Sequence, residues 1–178
     1  MRMCRRGSRP TIYGCGRHNR MDAEAKKKSL RMISYGLYVC TSRAGSKIAT
    51  GTVNWLSQSS FHPPLVMAAI QVDSTLHEVI EASKVFAVHV IGKSQKKMAT
   101  AFFKTVRVDG NTLNGYVFED GETGAPLLVD APAFFECRVL DRMERGDHTV
   151  YVAEVVNAGL RREEAPLTLR EAGFNYGG

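Results

Sequence analysis

Two long β-prone stretches, Ala133 to Met143 and Thr149 to Ala158, are separated only by Glu144-Arg145-Gly146-Asp147-His148. Five residues can join antiparallel neighbours. Parallel strands need a crossover of a dozen or more. The rest of the chain repeats this economy. Strands are predicted at Leu37 to Thr41, from Lys47 onward, at Leu65 to Gln71, at Val85 to Ile91 and at Gly115 to Glu119. The Leu65 to Gln71 run is almost continuously apolar, which predicts burial on both faces. Helices are predicted from Ala23 to Ser34, with Leu30 and Ile33 facing inward, and from Ser74 or Thr75 to Ser83, with Glu78 in the first turn. A third runs from a Ser94 cap through Phe103, with Met98, Ala99 and Phe102 at core spacing, and residues 104–114 read as a loop. Strands outnumber helices and mostly follow one another directly. The fold class is therefore mainly β with flanking helices, antiparallel, in a closed or partly closed barrel that removes exposed edges.

A chain of 178 residues suits one domain and can bury a real core. No window holds 18 consecutive apolar residues, so no transmembrane helix is expected. The net charge of +6 is local. Six of the 24 Lys and Arg lie in residues 1–20, which hold none of the 18 acids, so 18 bases face 18 acids beyond them. The expected organisation is a basic disordered tail over 1–21 and one folded domain over 22–178. The tail reads either as a leader or as a start-site artefact, since Met21 opens the part that looks folded. The folded part is neutral, which argues against nucleic acid as a partner. Cys40 and Cys137 stand in apolar strands, Cys4 and Cys15 in the tail, and none has zinc spacing. No metal is expected, and the cysteine usage suits a reducing cytoplasm, with organelle import left open by the Arg-rich tail.

Chemistry could reside in three places. The segment TGTVNWLSQSSFHPP, from Thr50 to Pro64, crowds Thr50, Thr52, Asn54, Gln58, Ser59 and Ser60 between apolar strands. Short hydroxyls, amides and backbone groups in such a row can meet the edge of a flat heterocycle, with Trp55 as an apolar face. On residue types alone, a solvated strand face with a core tryptophan is the commoner outcome. Ser74 and Thr75 begin a helix, where free N–H groups suit a phosphate; a plain cap is commoner. Gly146-Asp147-His148 lies in the hairpin connection, where Asp147 could fix the tautomer of a substrate-binding His148. An ordinary turn is commoner there too. His62 and His89 read as structural. The chain has no GxGxxG, Walker A or HExxH motif, and no Ser-His-Asp or Cys-His arrangement of any specificity, so a doubly wound dinucleotide fold is disfavoured.

Five stretches taken in order change this balance: ISYGLYVCTSR (33–43), TGTVNWLSQSSFHPPLV (50–66), DSTLHEVIEASKVFAVHVI (73–91), GAPLLVDAPAFFECRV (124–139) and GDHTVYVAEVVNA (146–158). Together they resemble the flavin reductase-like family, whose fold is the FMN-binding split barrel, an antiparallel Greek-key barrel. The first stretch and the closing NYGG (175–178) are most similar to the branch with high-molecular-weight rubredoxins and the reductase-like domains of flavodiiron proteins. The likeness spans about residues 26–178. The chain departs from the family's pattern at Ala153, at Ser83-Lys84 and at His89-Val90-Ile91.

The resemblance implies FMN, with FAD as an alternative, bound at the barrel rim, NAD(P)H as co-substrate, and a homodimer. By it, Thr50, Gly51, Thr52, Val53, Asn54 and Trp55 would run along the flavin, and Gln58, Ser59 and Ser60 would continue that wall. Ser74 and Thr75 would take the phosphate side. Gln95, with Phe102, would match the helix that closes the site. His148, with Asp147, would orient the nicotinamide. The implied function is an NAD(P)H-dependent flavin reductase, hydride passing from nicotinamide C4 to flavin N5 and electrons onward. The alternative is an FMN-binding electron-transfer protein of flavoredoxin type, reduced by a protein donor. No rubredoxin or diiron module resembles anything here, so an electron partner would be a separate chain.

Overall fold

The computed structural model describes residues 21–178. The tail expected over 1–20 lies outside them. Two compact units are present. The described part of the first comprises residues 21–33 and 176–178; the second is residues 34–175.

The first unit holds helix α1 (Ala23–Leu30). Asp22 caps it, its carboxylate accepting from the N–H groups of Glu24 and Ala25 at 2.9 and 3.2 Å. The helix is shorter than expected and has no inner face: Leu30 is 45% and Ile33 51% exposed. Its middle is Lys26-Lys27-Lys28, so only scattered apolar positions remain and no stripe forms.

The second unit is antiparallel throughout. Its strands are β1 (Tyr38–Ala44), β2 (Lys47–Val53), β3 (Leu56–Ser60), β4 (Leu65–Gln71), β5 (Val85–Val90), β6 (Val108–Asp109), β7 (Thr112–Leu113), β8 (Tyr116–Asp120), β9 (Pro126–Leu128), β10 (Ala133–Glu144) and β11 (His148–Leu160). Helix α2 (Thr75–Ser83) and helix α3 (Lys96–Ala101) flank them. The seven-stranded sheet runs β2-β1-β5-β10-β11-β4-β3, and the smaller one β6-β7-β8-β9. The two edges of the large sheet, β2 and β3, are separated in the chain only by Asn54-Trp55. A sheet whose opposite edges are two residues apart must curl round on itself. That is the split-barrel architecture, reached without pairing β2 to β3.

One core lies inside the curl. Val66, Ala68, Ile70, Phe86, Cys137 and Tyr151 meet Leu76, Val79 and Ile80 of α2 there. A second joins Val39 and Ile91 to Met98, Ala99 and Phe102 around α3. Cys40 and Cys137 are both buried free thiols. Burial pushes the Cys40 thiol well above its ordinary range and Cys137 up to about 12. His89 is structural, as expected. Its Nδ1–H donates to the Val39 carbonyl and its Nε2 accepts the Leu128 N–H, each at 3.0 Å. Burial lowers its pKa to about 4.

Three local expectations need correction. Strand β4 is buried on one face only: Val66, Ala68 and Ile70 point inward, while Met67 is 40% exposed. It lies one strand from the sheet edge, and only its inner face meets the core. Ser94 does not cap α3; its N–H and hydroxyl both donate to Glu164, at 3.0 and 2.7 Å, and the helix starts after Gln95. The expected loop over 104–114 contains the short β6–β7 pair.

Candidate functional site

Strand alternation sets out the first part of the site. Thr50 and Thr52 occupy alternate positions of β2 and so share a face, and Asn54 follows just beyond its end. The Thr52 hydroxyl donates to the Ala99 carbonyl of α3 at 2.7 Å, and the Thr52 N–H to the Phe102 carbonyl at 3.3 Å. Its neighbours have no such partners. Among the described residues, the buried Thr50 Oγ1 and Asn54 Nδ2 find no hydrogen bond. Buried polar groups are almost always paired, because an unmet one loses its full hydration. Two orphans four positions apart in one segment therefore fit a polar ligand edge. Gly51 permits α2 to come close: a Cβ there would stand 3.3 Å from Leu76 Cδ2. Val53 is packed against the inner core.

Trp55 and His148 come together. Their ring centroids are 4.5 Å apart at an interplanar angle of 49°. His148 Nδ1 is 2.8 Å from Asp147 Oδ1. The hydrogen bond to His148 is the main cause holding the Asp147 carboxyl below its usual range. His148 is set opposite Gln71, and the Asp147 carbonyl accepts the Val72 N–H at 3.0 Å.

Ser74 caps α2, accepting the His77 N–H at 3.1 Å and donating its own proton to the Gln71 carbonyl at 2.7 Å. Its hydroxyl hydrogen is therefore committed. What remains at this helix start for an anion is the exposed Thr75 hydroxyl and the first backbone N–H groups. His77 Nε2 lies 2.9 Å from Thr149 Oγ1, and burial lowers the His77 pKa.

The remaining candidates lie elsewhere in character. Gln58 and Ser59 are exposed on β3, and Gln58 Nε2 donates only to the Ser60 carbonyl, at 3.3 Å. Gln58 is paired with Val66, five positions down β4 from Gln71, which is roughly 16 Å at strand rise. Gln95 is satisfied within the protein: it accepts the Gly92 N–H at 2.9 Å and donates to the Asp130 carbonyl at 2.8 Å. Phe102 is buried in the α3 core, so its carbonyl, not its ring, meets the β2 segment.

Sequence reasoning missed the surroundings of Gln95. Ser94, Lys97, Met98, Tyr116, Asp130 and Arg162 line a cavity of about 320 Å³ with it. These residues come from separate segments, and nothing in their local pattern signals convergence. It also missed Thr149 as the partner of His77, which only the α2–β11 packing reveals. Among the described residues, no cluster of three His, Cys, Asp or Glu is placed to hold a metal, and no helix is long and apolar enough to cross a membrane.

With this geometry established, residues 30–178 match the model of the flavin reductase like domain, and the chain belongs to that family. It is 28% identical over 159 residues to the NADH-dependent flavin reductase StyB of Pseudomonas fluorescens, covering 89% of this chain and 91% of that protein. It is 27% identical over 139 residues to diflavin flavoprotein A 1 of Synechocystis, covering 78% of this chain but only 24% of that protein. A solved structure of the Streptomyces globisporus NADH:FAD oxidoreductase SgcE6, in complex with NAD and FAD fragments, is similar with a TM-score of 0.65 at 31% identity. That match covers 77% of this chain and 84% of the other.

Proposed function

We propose that this chain is an NAD(P)H-dependent flavin reductase that binds FMN, or FAD, along the Thr50–Asn54 segment. The observation that carries the reading is the pair of buried, unmet polar atoms, Thr50 Oγ1 and Asn54 Nδ2, either side of Thr52, which is tied to α3. Family membership and the NADH-dependent relatives support it. The flavin, when bound, supplies the hydride acceptor, its N5, for nicotinamide C4. The protein's own residues bind and orient. Thr50 and Asn54 donate to the polar edge of the ring, where fixed donors stabilise negative charge better than water does. Thr75 and the first N–H groups of α2 hold the phosphate. Asp147 keeps the proton of His148 on Nδ1, and His148 orients the nicotinamide. Gln95 and Phe102 act through the shape of the α3 segment.

The test is uptake of flavin by the purified protein, followed by mixing with NADH or NADPH in a stopped-flow instrument. Rapid bleaching of the flavin absorbance is the expected result. A protein that takes up no flavin supplied in excess overturns the reading.

A second reading rests on the diflavin flavoprotein relative, in which the matched region is about a quarter of a longer chain. On it, the chain is an electron carrier reduced by a separate protein, and NAD(P)H bleaches it slowly if at all. A homodimer and a cytoplasmic location complete the proposal, the former checked by size-exclusion chromatography with light scattering.

A further inference from the structure

We propose that Trp55 is a positioning residue, whose indole face holds the His148 ring against Asp147. This rests on the reading of His148 as the nicotinamide-side residue. The sequence had suggested Trp55 as part of the flavin wall; in the structure its ring packs against His148.

The geometry gives each partner a separate task. At 4.5 Å between centroids and 49° of tilt, the rings form a favourable aromatic pair. Asp147 Oδ1, at 2.8 Å, can only accept, so Nδ1 carries the hydrogen. The carboxylate side chain is 91% exposed, however, while that of His148 is 12% exposed. A hydrogen bond to so exposed a carboxylate fixes little. The packed contact with Trp55 adds to the holding.

Strand β4 sets the spacing. The Trp55 carbonyl accepts the Ala69 N–H at 2.9 Å, and His148 is the register partner of Gln71, two residues further on. Both rings thus hang from one strand, on positions of the same parity, roughly 7 Å apart along it. Orientation at a reacting centre is sensitive to small displacements, so a loosened imidazole costs substrate positioning before it costs fold.

Trp55 is the sole tryptophan of the chain, so intrinsic fluorescence reports the surroundings of this one indole, His148 among them. The test uses the full chain with FMN, and the variants Trp55→Leu, Trp55→Phe and His148→Ala. We expect Trp55→Leu to raise the KM for NADH about fivefold with kcat within twofold, and Trp55→Phe to recover most of that loss. FMN affinity, read by flavin fluorescence, stays within about twofold in Trp55→Leu. In proton NMR, the His148 imidazole resonances move downfield in Trp55→Leu as the indole ring current disappears.

Equal damage in the Leu and Phe variants, or an FMN loss matching the KM rise, overturns the proposal and returns Trp55 to the flavin wall. Unmoved imidazole resonances overturn it as well. An unchanged KM in His148→Ala sinks the underlying reading of His148, whereas the NMR shift still decides whether Trp55 holds the ring. Should Trp55→Leu fail to fold, His148→Gln decides: removing the imidazole must change Trp55 emission, and identical emission overturns the contact.

Discussion

The two halves of the polar segment differ more than their composition does. Thr50 to Trp55 and Gln58 to Ser60 use the same kinds of residue, short hydroxyls and amides. In the first half these groups are buried or half-buried, Asn54 at 7% exposure, and they either bond to α3 or lack a protein partner. In the second half the side chains stand on the edge strand β3, mostly in water. Water satisfies a polar group at no cost, so an exposed amide signifies little. A buried amide without a partner is expensive, and an expense that persists points to a ligand. The comparison therefore places the weight of the flavin proposal on Thr50 and Asn54.

His89 is the reference case, a buried polar group with all its partners inside the protein, and it carries the largest expected effect. Its folded pKa, about 4, lies below its ordinary 6.5. Folding thus favours the neutral ring. Stability is fully present above about pH 6.5 and is lost as the pH falls toward 4, by roughly 3 kcal/mol. Denaturant melts across that range should show the loss, and a His89→Gln variant that folds should flatten it. A wild-type curve already flat between pH 6.5 and 4 would remove His89 as the reference.

Next in size is Thr52→Val, which leaves the Ala99 carbonyl without its donor and should cost about 1–3 kcal/mol in chemical denaturation. Ser59→Ala, on the exposed β3, should stay within about 0.5 kcal/mol. Equal costs would erase the distinction between the two halves. Asn54→Leu separates fold from ligand. It removes an unmet donor, so stability should hold or rise, while FMN affinity falls about tenfold or more, near 1.4 kcal/mol. If affinity is retained, the orphan amide does not face the flavin.

Smaller effects sharpen the picture. Thr75→Ala should weaken FMN about fivefold and leave riboflavin, which has no phosphate, within twofold. Ser74→Ala should instead lower stability by about 1 kcal/mol, because its hydroxyl serves the helix. Equal loss of both ligands in Thr75→Ala would move the anion site away from α2. Smallest of all, Gln58→Ala should change FMN affinity by less than about twofold. A larger drop would mean that the exposed half takes part after all.

Much of this was legible along the chain because local rules govern it. The hairpin of β10 and β11, the β4 bounds and the Ser74 cap follow from strand periodicity, short connections and a hydroxyl before an apolar helix. The order of five stretches led to the flavin reductase-like family, which the match over residues 30–178 bears out. Local pattern failed where burial had to be known. The apolar run of β4 does not say that one face lies near a sheet edge. Nor does Ser94 reveal that Glu164, seventy residues away, takes its hydroxyl.

The sequence by itself determined the antiparallel strands, the helix flanking each core and the segment that carries the polar groups, since these depend on neighbours a few residues apart. Only the tertiary structure decided which polar groups are deprived of water, that Trp55 faces His148, and that the Ser74 proton is already taken. Those are questions of solvation and of contacts between distant segments, and a strand's own residues cannot specify what the curled sheet brings against them.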